Sequence, residues 1–202
     1  MPSFAQLVRR VEEELGQRDR YAHSVRVARC ADLLAQRHGA DPRKARLAGL
    51  LHDLARLYSP ERLVAECEAR GLPIDIAERL HPMLLHAKLG AAIASERFGV
   101  HDPHVLSAIE KHTTGAREMS PLDCIVYLAD SLEPNRSFPE RGDLWRLALD
   151  DLTGAMRAVL LLTMRHNARK GVATVPATLA AAESFGLTVA DGVSPEVGAS
   201  AS

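Results

Sequence analysis

The stretch GLLHDLAR, residues 49–56, sets a histidine directly beside an aspartate within a run of small and apolar residues. Leu50, Leu51 and Leu54 recur at helical spacing, so the stretch reads as one buried helix, on which a charged Asp53 and a polar His52 are costly unless something pairs with them. The helical reading extends outward in both directions. Asp41-Pro42, Ser59-Pro60, Asp102-Pro103 and Ser120-Pro121 each put a capping side chain before a proline, as at the first turn of a helix. Gly39, Gly71, Gly99 and Gly115 fall where the preceding periodic segments run out, which suits C-terminal capping. This punctuation predicts helices near 3–16, 20–38, 42–57, 60–70, 83–98, 103–113, 121–132, 143–170 with a break near Gly154, and 176–185. Almost nothing remains for strands, and aromatics are only 4% of the chain. The expected class is all-α, a helical bundle.

Composition narrows the partners. A chain of 202 residues fits one domain and can bury a sizeable core. With 25 Lys and Arg against 26 Asp and Glu, there is no electrostatic reason to expect a long nucleic acid or an anionic membrane; a small ligand fits better. Cys30, Cys67 and Cys124 are an odd, scattered three, read as buried thiols in a reducing compartment. No stretch offers about 18 uninterrupted apolar residues, and the charged, amphipathic N-terminus does not resemble an export signal, so cytoplasm is the expected location. Periodicity is lost from Gly186 onward. Residues 1–187 are therefore expected to form a single domain, N-terminal helix included, and residues 188–202 a disordered tail. The oligomeric state is left open, a homodimer included.

Nine histidines invite sorting. His38, His101, His104 and His166 sit at helix ends or among polar residues, and His81 stands at a break before Pro82. His23, His52, His86 and His112 instead share helical faces with apolar residues, as does Asp130 in CIVYLADSLEP. Taken singly, a histidine beside apolar residues is more often a hydrogen-bonded core residue than a ligand, and a lone aspartate more often a cap or ion-pair partner. The joint pattern points elsewhere: four histidines and two carboxylates on several helices, each costly alone, are all relieved by a shared cation. Imidazole with carboxylate suits iron, manganese, cobalt, nickel or zinc, and no cysteine is placed to make a thiolate zinc site. Neighbours on a helix point about 100° apart, so His52 and Asp53 cannot simply chelate one ion. If Asp53 bridges two metals with its two oxygens, the adjacency becomes useful.

The ordered set His23, His52-Asp53, His86, His112 and Asp130 resembles the H…HD…H…H…D pattern of the HD-domain metal-dependent phosphohydrolases. RYAHSVRVA, AGLLHDLAR, LLHAKLGA, AIEKHTTG and IVYLADSLEPNR together are similar to the bacterial YqeK-type subgroup, the symmetrical bis(5'-nucleosyl)-tetraphosphatases, over about residues 20–186. Six ordered ligands with HTTG and ADxxEPNR make the likeness specific, although Arg56 stands where the subgroup often has lysine. The resemblance implies cleavage of diadenosine tetraphosphate, a small dinucleoside polyphosphate, into two ADP through a metal-activated hydroxide at a two-metal centre, with divalent or trivalent iron foremost. It further implies one metal on His23, His52, Asp53 and Asp130, and a second on His86, His112 and bridging Asp53. Catalytic roles are expected for Asp53, Arg56 and Arg136, and phosphate contacts for Arg56, Lys88, Lys111, Thr113, Thr114, Gly115 and Arg136. Lys88 and Lys111 read equally well as solvated helix charges. Glu133 could orient a ligand, and Tyr21, Tyr127, Phe138 and Trp145 read as packing rather than base-stacking residues. Two rivals are set beside this reading: an HD phosphohydrolase of another nucleotide, such as a nucleoside monophosphate, a dNTP or an alarmone, and a non-catalytic metal-stabilised regulatory module.

Overall fold

In a computed structural model, which describes residues 4–193, every regular element is helical. The order is α1 (Phe4–Leu15), α2 (Arg18–Arg37), α3 (Pro42–Leu51), α4 (Pro60–Ala69), α5 (Ile76–Leu80), a 3₁₀ turn (Pro82–Leu84), α6 (Leu85–Phe98), α7 (Pro103–Lys111), α8 (Pro121–Leu132), α9 (Arg141–Asp150), α10 (Leu152–Arg169), α11 (Pro176–Ser184) and α12 (Val189–Val193). All four cap-proline pairs open helices as expected. Asp41 accepts from the backbone of Arg43 and Lys44, Ser59 from Arg62, Asp102 from His104 and Val105, and Ser120 from Asp123 within a reciprocal capping box. At the other end of α6, Gly99 takes φ +67° and closes the helix in the left-handed conformation, where a side chain would be strained.

The centre of the molecule is α8, whose residues from Leu122 to Ala129 are all buried, so it is enclosed around its whole circumference. Helices α2, α3, α7, α9 and α10 pack against it, with α6 laid against α7. Leu34, Leu50, Leu51, Leu89, Ile109, Ile125 and Leu128 are fully buried, each worth about 1.5–3 kcal/mol of burial. The tightest approach is between α2 and α3. A Cβ on Gly49 would lie 2.9 Å from the Cα of Ala28, so glycine alone lets these two backbones touch. Gly90 does a milder version of this from α6: its Cβ would sit 3.3 Å from the carbonyl oxygen of His52. Both contacts press on the end of α3.

Four boundaries differ from expectation, each for a local reason. The helix expected over 42–57 stops at Leu51, and residues 52–57 continue as turns held by bonds from the backbone N–H of Leu54, Arg56 and Tyr58 to carbonyls three residues back. The long helix expected over 143–170 divides at Asp151, not at Gly154, because the Asp151 side chain accepts from the Gly154 N–H and starts a new helix. Residues 76–80 form the short helix α5, which buries no residue and so left no apolar period to read. Residues 189–193 are helical, with Gly192 close against Met164 of α10, although a tail was expected from 188; the rest of that expected tail, 194–202, lies outside the described residues. Among the described residues no helix is long and apolar enough to cross a membrane, and Cys30, Cys67 and Cys124 are buried free thiols.

Candidate metal centre

Five helices deliver their polar residues to one point, four of them from an end. His52 caps the end of α3 and Asp53 follows it in the turn; His86 is the second residue of α6; His112 caps the end of α7; Asp130 lies near the end of α8; only His23 comes from within a helix, α2. All four histidines and Asp53 are buried. A helix end leaves backbone carbonyls without helical partners. Three of the rings bond a carbonyl three residues back, in the last turn of a helix for two of them and in the 3₁₀ turn before α6 for the other: His52 Nδ1 donates to Gly49 O (2.8 Å), His112 Nδ1 to Ile109 O (2.7 Å) and His86 Nδ1 to Met83 O (2.5 Å). A carbonyl only accepts, so each Nδ1 carries the hydrogen and each neutral ring presents a bare Nε2. His23 does the same with a different partner, the Oε1 of buried Glu133 at 3.1 Å.

The four Nε2 atoms converge on Asp53, and its two oxygens divide them. Oδ2 lies 3.3 Å from His52 Nε2 and 3.7 Å from His23 Nε2, while Oδ1 lies 3.4 Å from His86 Nε2 and 3.8 Å from His112 Nε2. Asp130 joins the first half, its Oδ1 at 3.0 Å from His23 Nε2 and 3.7 Å from His52 Nε2. Thr113 joins the second half, its hydroxyl 3.2 Å from His86 Nε2 and 3.0 Å from His112 Nε2.

The chemistry of this donor set fits metal binding: the ligand atoms of His23, His52 and Asp130, and those of His52, Asp53 and His112, each lie within 4.8 Å of one another. His23 Nε2 and His52 Nε2 are buried without any hydrogen-bond partner, because with the hydrogen on Nδ1 they face the carboxylate oxygens as acceptor to acceptor. His86 Nε2 and His112 Nε2 face each other at 3.2 Å, two lone pairs that repel unless a proton or a cation lies between them. The electrostatics follow the same geometry. Burial disfavours charge on His52, yet the Asp53 and Asp130 carboxylates outweigh it and raise the ring to about 9. His112, buried and facing His52 and His86, is pushed down to about 3. Burial would raise the Asp53 carboxyl, but His52, His86 and His112 hold it well below the usual carboxylate range. Asp130 is likewise held low against its burial, by His23, His52 and Arg136.

The residues expected at phosphate divide into three groups. Arg56 is half-buried one turn beyond Asp53, and Arg136 reaches back to the Asp130 carboxylate and carbonyl. Lys88 and Lys111, by contrast, are already committed. Lys88 Nζ pairs with Glu78 (2.7 Å) and Pro73 O (2.6 Å), tying α5 to α6; Lys111 Nζ pairs with Asp123 (3.0 Å) and Glu118 O (2.7 Å), closing the loop after α7. Neither is the solvated charge nor the free phosphate donor of the sequence reading. Thr113 turns inward to the histidines, whereas Thr114 and Gly115 line a cleft of about 260 Å³ with both lysines. Tyr127 is buried, and Tyr21, Phe138 and Trp145 pack against the core.

Sequence reasoning missed two arginines. Arg20 donates to Asp53 Oδ2 at 2.8 Å, and Arg26 donates to Glu133 at 2.6 Å. Both lie three residues from His23 on α2, one helical turn to either side, and that spacing was the available signal.

The HD domain family model matches residues 20–135, which contain every residue of the cluster. The chain is 35% identical to the symmetrical bis(5'-nucleosyl)-tetraphosphatase of Bacillus subtilis over 159 residues, 79% of this chain and 85% of that protein. It is 38% identical over 161 residues to the protein of the same name from Halalkalibacterium halodurans, covering 80% and 86%. A crystal structure from Clostridium acetobutylicum, titled an HD superfamily hydrolase involved in NAD metabolism, superposes with a TM-score of 0.87 at 34% identity, covering 92% of this chain and 97% of that one.

Proposed function

The chain belongs to the HD-domain family, and from that premise we propose that it is a hydrolase that cleaves diadenosine tetraphosphate symmetrically into two molecules of ADP. The observation that carries this reading is the division of Asp53, one oxygen to each pair of histidines. Relatives named for the symmetrical cleavage match about four-fifths of the chain and support the choice of substrate.

His23, His52, Asp130 and Asp53 Oδ2 would hold one ion, and His86, His112 and Asp53 Oδ1 its neighbour. Ions bound there supply charge neutralisation at phosphate and a water acidic enough to attack at neutral pH. We assign iron, with manganese, cobalt, nickel and zinc compatible with the same donors. The chain's own residues do the rest. Asp53, gripped by Arg20, fixes the spacing of the two halves. Arg56 and Arg136, at the edge of the cluster, bind the outer phosphates and steady the charge that builds on the departing half. Thr114 and Gly115 line the cleft, with the Gly115 N–H bonded to the Lys111 carbonyl and the Thr114 hydroxyl to the Gly115 carbonyl.

The water oxygen bonds to one of the two central phosphorus atoms, the bond from that phosphorus to the bridging oxygen breaks, and each half leaves as ADP while the protons pass to solvent. The buried free thiols support a reducing, cytoplasmic setting. Chromatography of the products tests the proposal: metal-loaded protein should yield ADP as the sole nucleotide product from diadenosine tetraphosphate. AMP with ATP, or no turnover with iron, manganese, cobalt or zinc, overturns it.

A further inference from the structure

The two halves of the centre are anchored differently. His52, His86 and His112 take their orientation from a carbonyl three residues back in their own chain segment, a neutral acceptor. His23 takes its orientation from a carboxylate. Glu133 is itself fixed, accepting from Arg26 Nε (2.6 Å) and from the Asn135 N–H (2.9 Å), so it cannot turn away. An anionic acceptor behind an imidazole makes the opposite nitrogen a better donor to a cation.

The halves also differ in what each does without metal. His86 and His112 face one another with the Thr113 hydroxyl between them, so one proton and one hydroxyl satisfy most of that cluster. His23 Nε2 and His52 Nε2 lie buried beside Asp130 (3.0 Å) and Asp53 (3.3 Å), so without metal a proton on either ring is what pairs with those carboxylates. Two carboxylates face the first half, Asp130 and Asp53 Oδ2; only the shared Asp53 faces the second.

We infer that the centre fills in order: the His23–His52–Asp130 half takes the first metal ion tightly, the His86–His112 half takes the second more weakly and exchangeably, and Glu133 is the positioning residue that creates the difference. This rests on the two-ion reading above.

Titration of the metal-free full-length protein with Mn(II), followed by calorimetry and by the electron paramagnetic resonance of free Mn(II), tests the order. Wild type should bind one tight and one weaker equivalent. His86→Ala should keep the tight equivalent and lose the weak one. Glu133→Gln, which keeps the size of the side chain but removes its charge, should weaken the tight equivalent by roughly tenfold to a hundredfold and spare the other. Thr113→Val, which removes the competing hydroxyl, should tighten the weak equivalent. Two equal equivalents in wild type, loss of the tight equivalent in His86→Ala, or a Glu133→Gln effect confined to the weak one overturns the order. Binding of a single equivalent by wild type overturns the two-ion reading itself. Should Glu133→Gln fail to fold, the His86→Ala titration still decides which half is tight.

Discussion

The ends of α3 and α7 are built alike up to one residue. Each closes on a histidine in right-handed helical geometry, His52 at φ −57°, ψ −32° and His112 at φ −62°, ψ −21°. Each ring donates Nδ1–H to the carbonyl three residues back and turns Nε2 inward. The next residue separates them. Asp53 brings a charge that reaches all four histidines, whereas Thr113 brings a neutral hydroxyl that reaches only His86 and His112. The backbone device is general; the residue after it decides whether a helix end links two clusters or merely completes one.

The sharpest way to break the comparison is to exchange those residues for alanine. Asp53→Ala should lower turnover of diadenosine tetraphosphate by more than the roughly 10²–10³-fold that one lost charge-stabilising donor costs, since it removes a group common to both halves. Thr113→Ala should leave turnover measurable, with ADP still the product. Equal losses in the two variants, read by product chromatography, would remove the distinction.

The glycines beneath the α3 end come next in size. Gly49→Ala forces a methyl to within 2.9 Å of the Ala28 backbone, and the strain of overpacking should cost about 1–3 kcal/mol in denaturant unfolding. Gly90→Ala meets the His52 carbonyl oxygen at a looser 3.3 Å, and the gain in helix propensity, about 1 kcal/mol, should nearly cancel that contact. A Gly90→Ala loss as large as that of Gly49→Ala would show that α6, rather than α2, sets the position of the α3 end.

A further effect concerns protons. The folded-state value of His52, about 9, lies above the ordinary 6.5, so protonated His52 stabilises the metal-free fold. That contribution is fully present below about 6.5 and is lost as the pH rises through about 9. The metal-free protein should therefore melt at progressively lower temperature across this window, and His52→Gln should flatten the trend. Metal competes with the same proton, so uptake of metal at pH 7 should release protons, seen as a dependence of the calorimetric heat on the buffer's ionisation enthalpy.

Much of the centre was legible because its residues violate their surroundings. His23, His52, His86 and His112 are polar residues at apolar helical positions, and that conflict shows in the chain without coordinates. That Asp53 would face histidines on both sides was read from its adjacency to His52, although the pair sits at a helix end and turn, not within a helix. The helix ends beside two tertiary contacts that no local pattern encodes, Gly49 against Ala28 and Gly90 against His52. Lys88 and Lys111 misled for a similar reason. Their partners, Glu78 and Asp123, are ten and twelve residues away, too far for helix-surface spacing to reveal.

The anchoring of the rings also bears on how the molecule assembles. Three histidines are oriented by bonds closed within four residues, available as soon as their own helix end forms. The fourth bond joins His23 to Glu133 across 110 positions of chain, and the loop entropy of that closure must be met before it can form. The His23 ring is therefore expected to be the last of the four to be oriented, when the far end of α8 docks against α2.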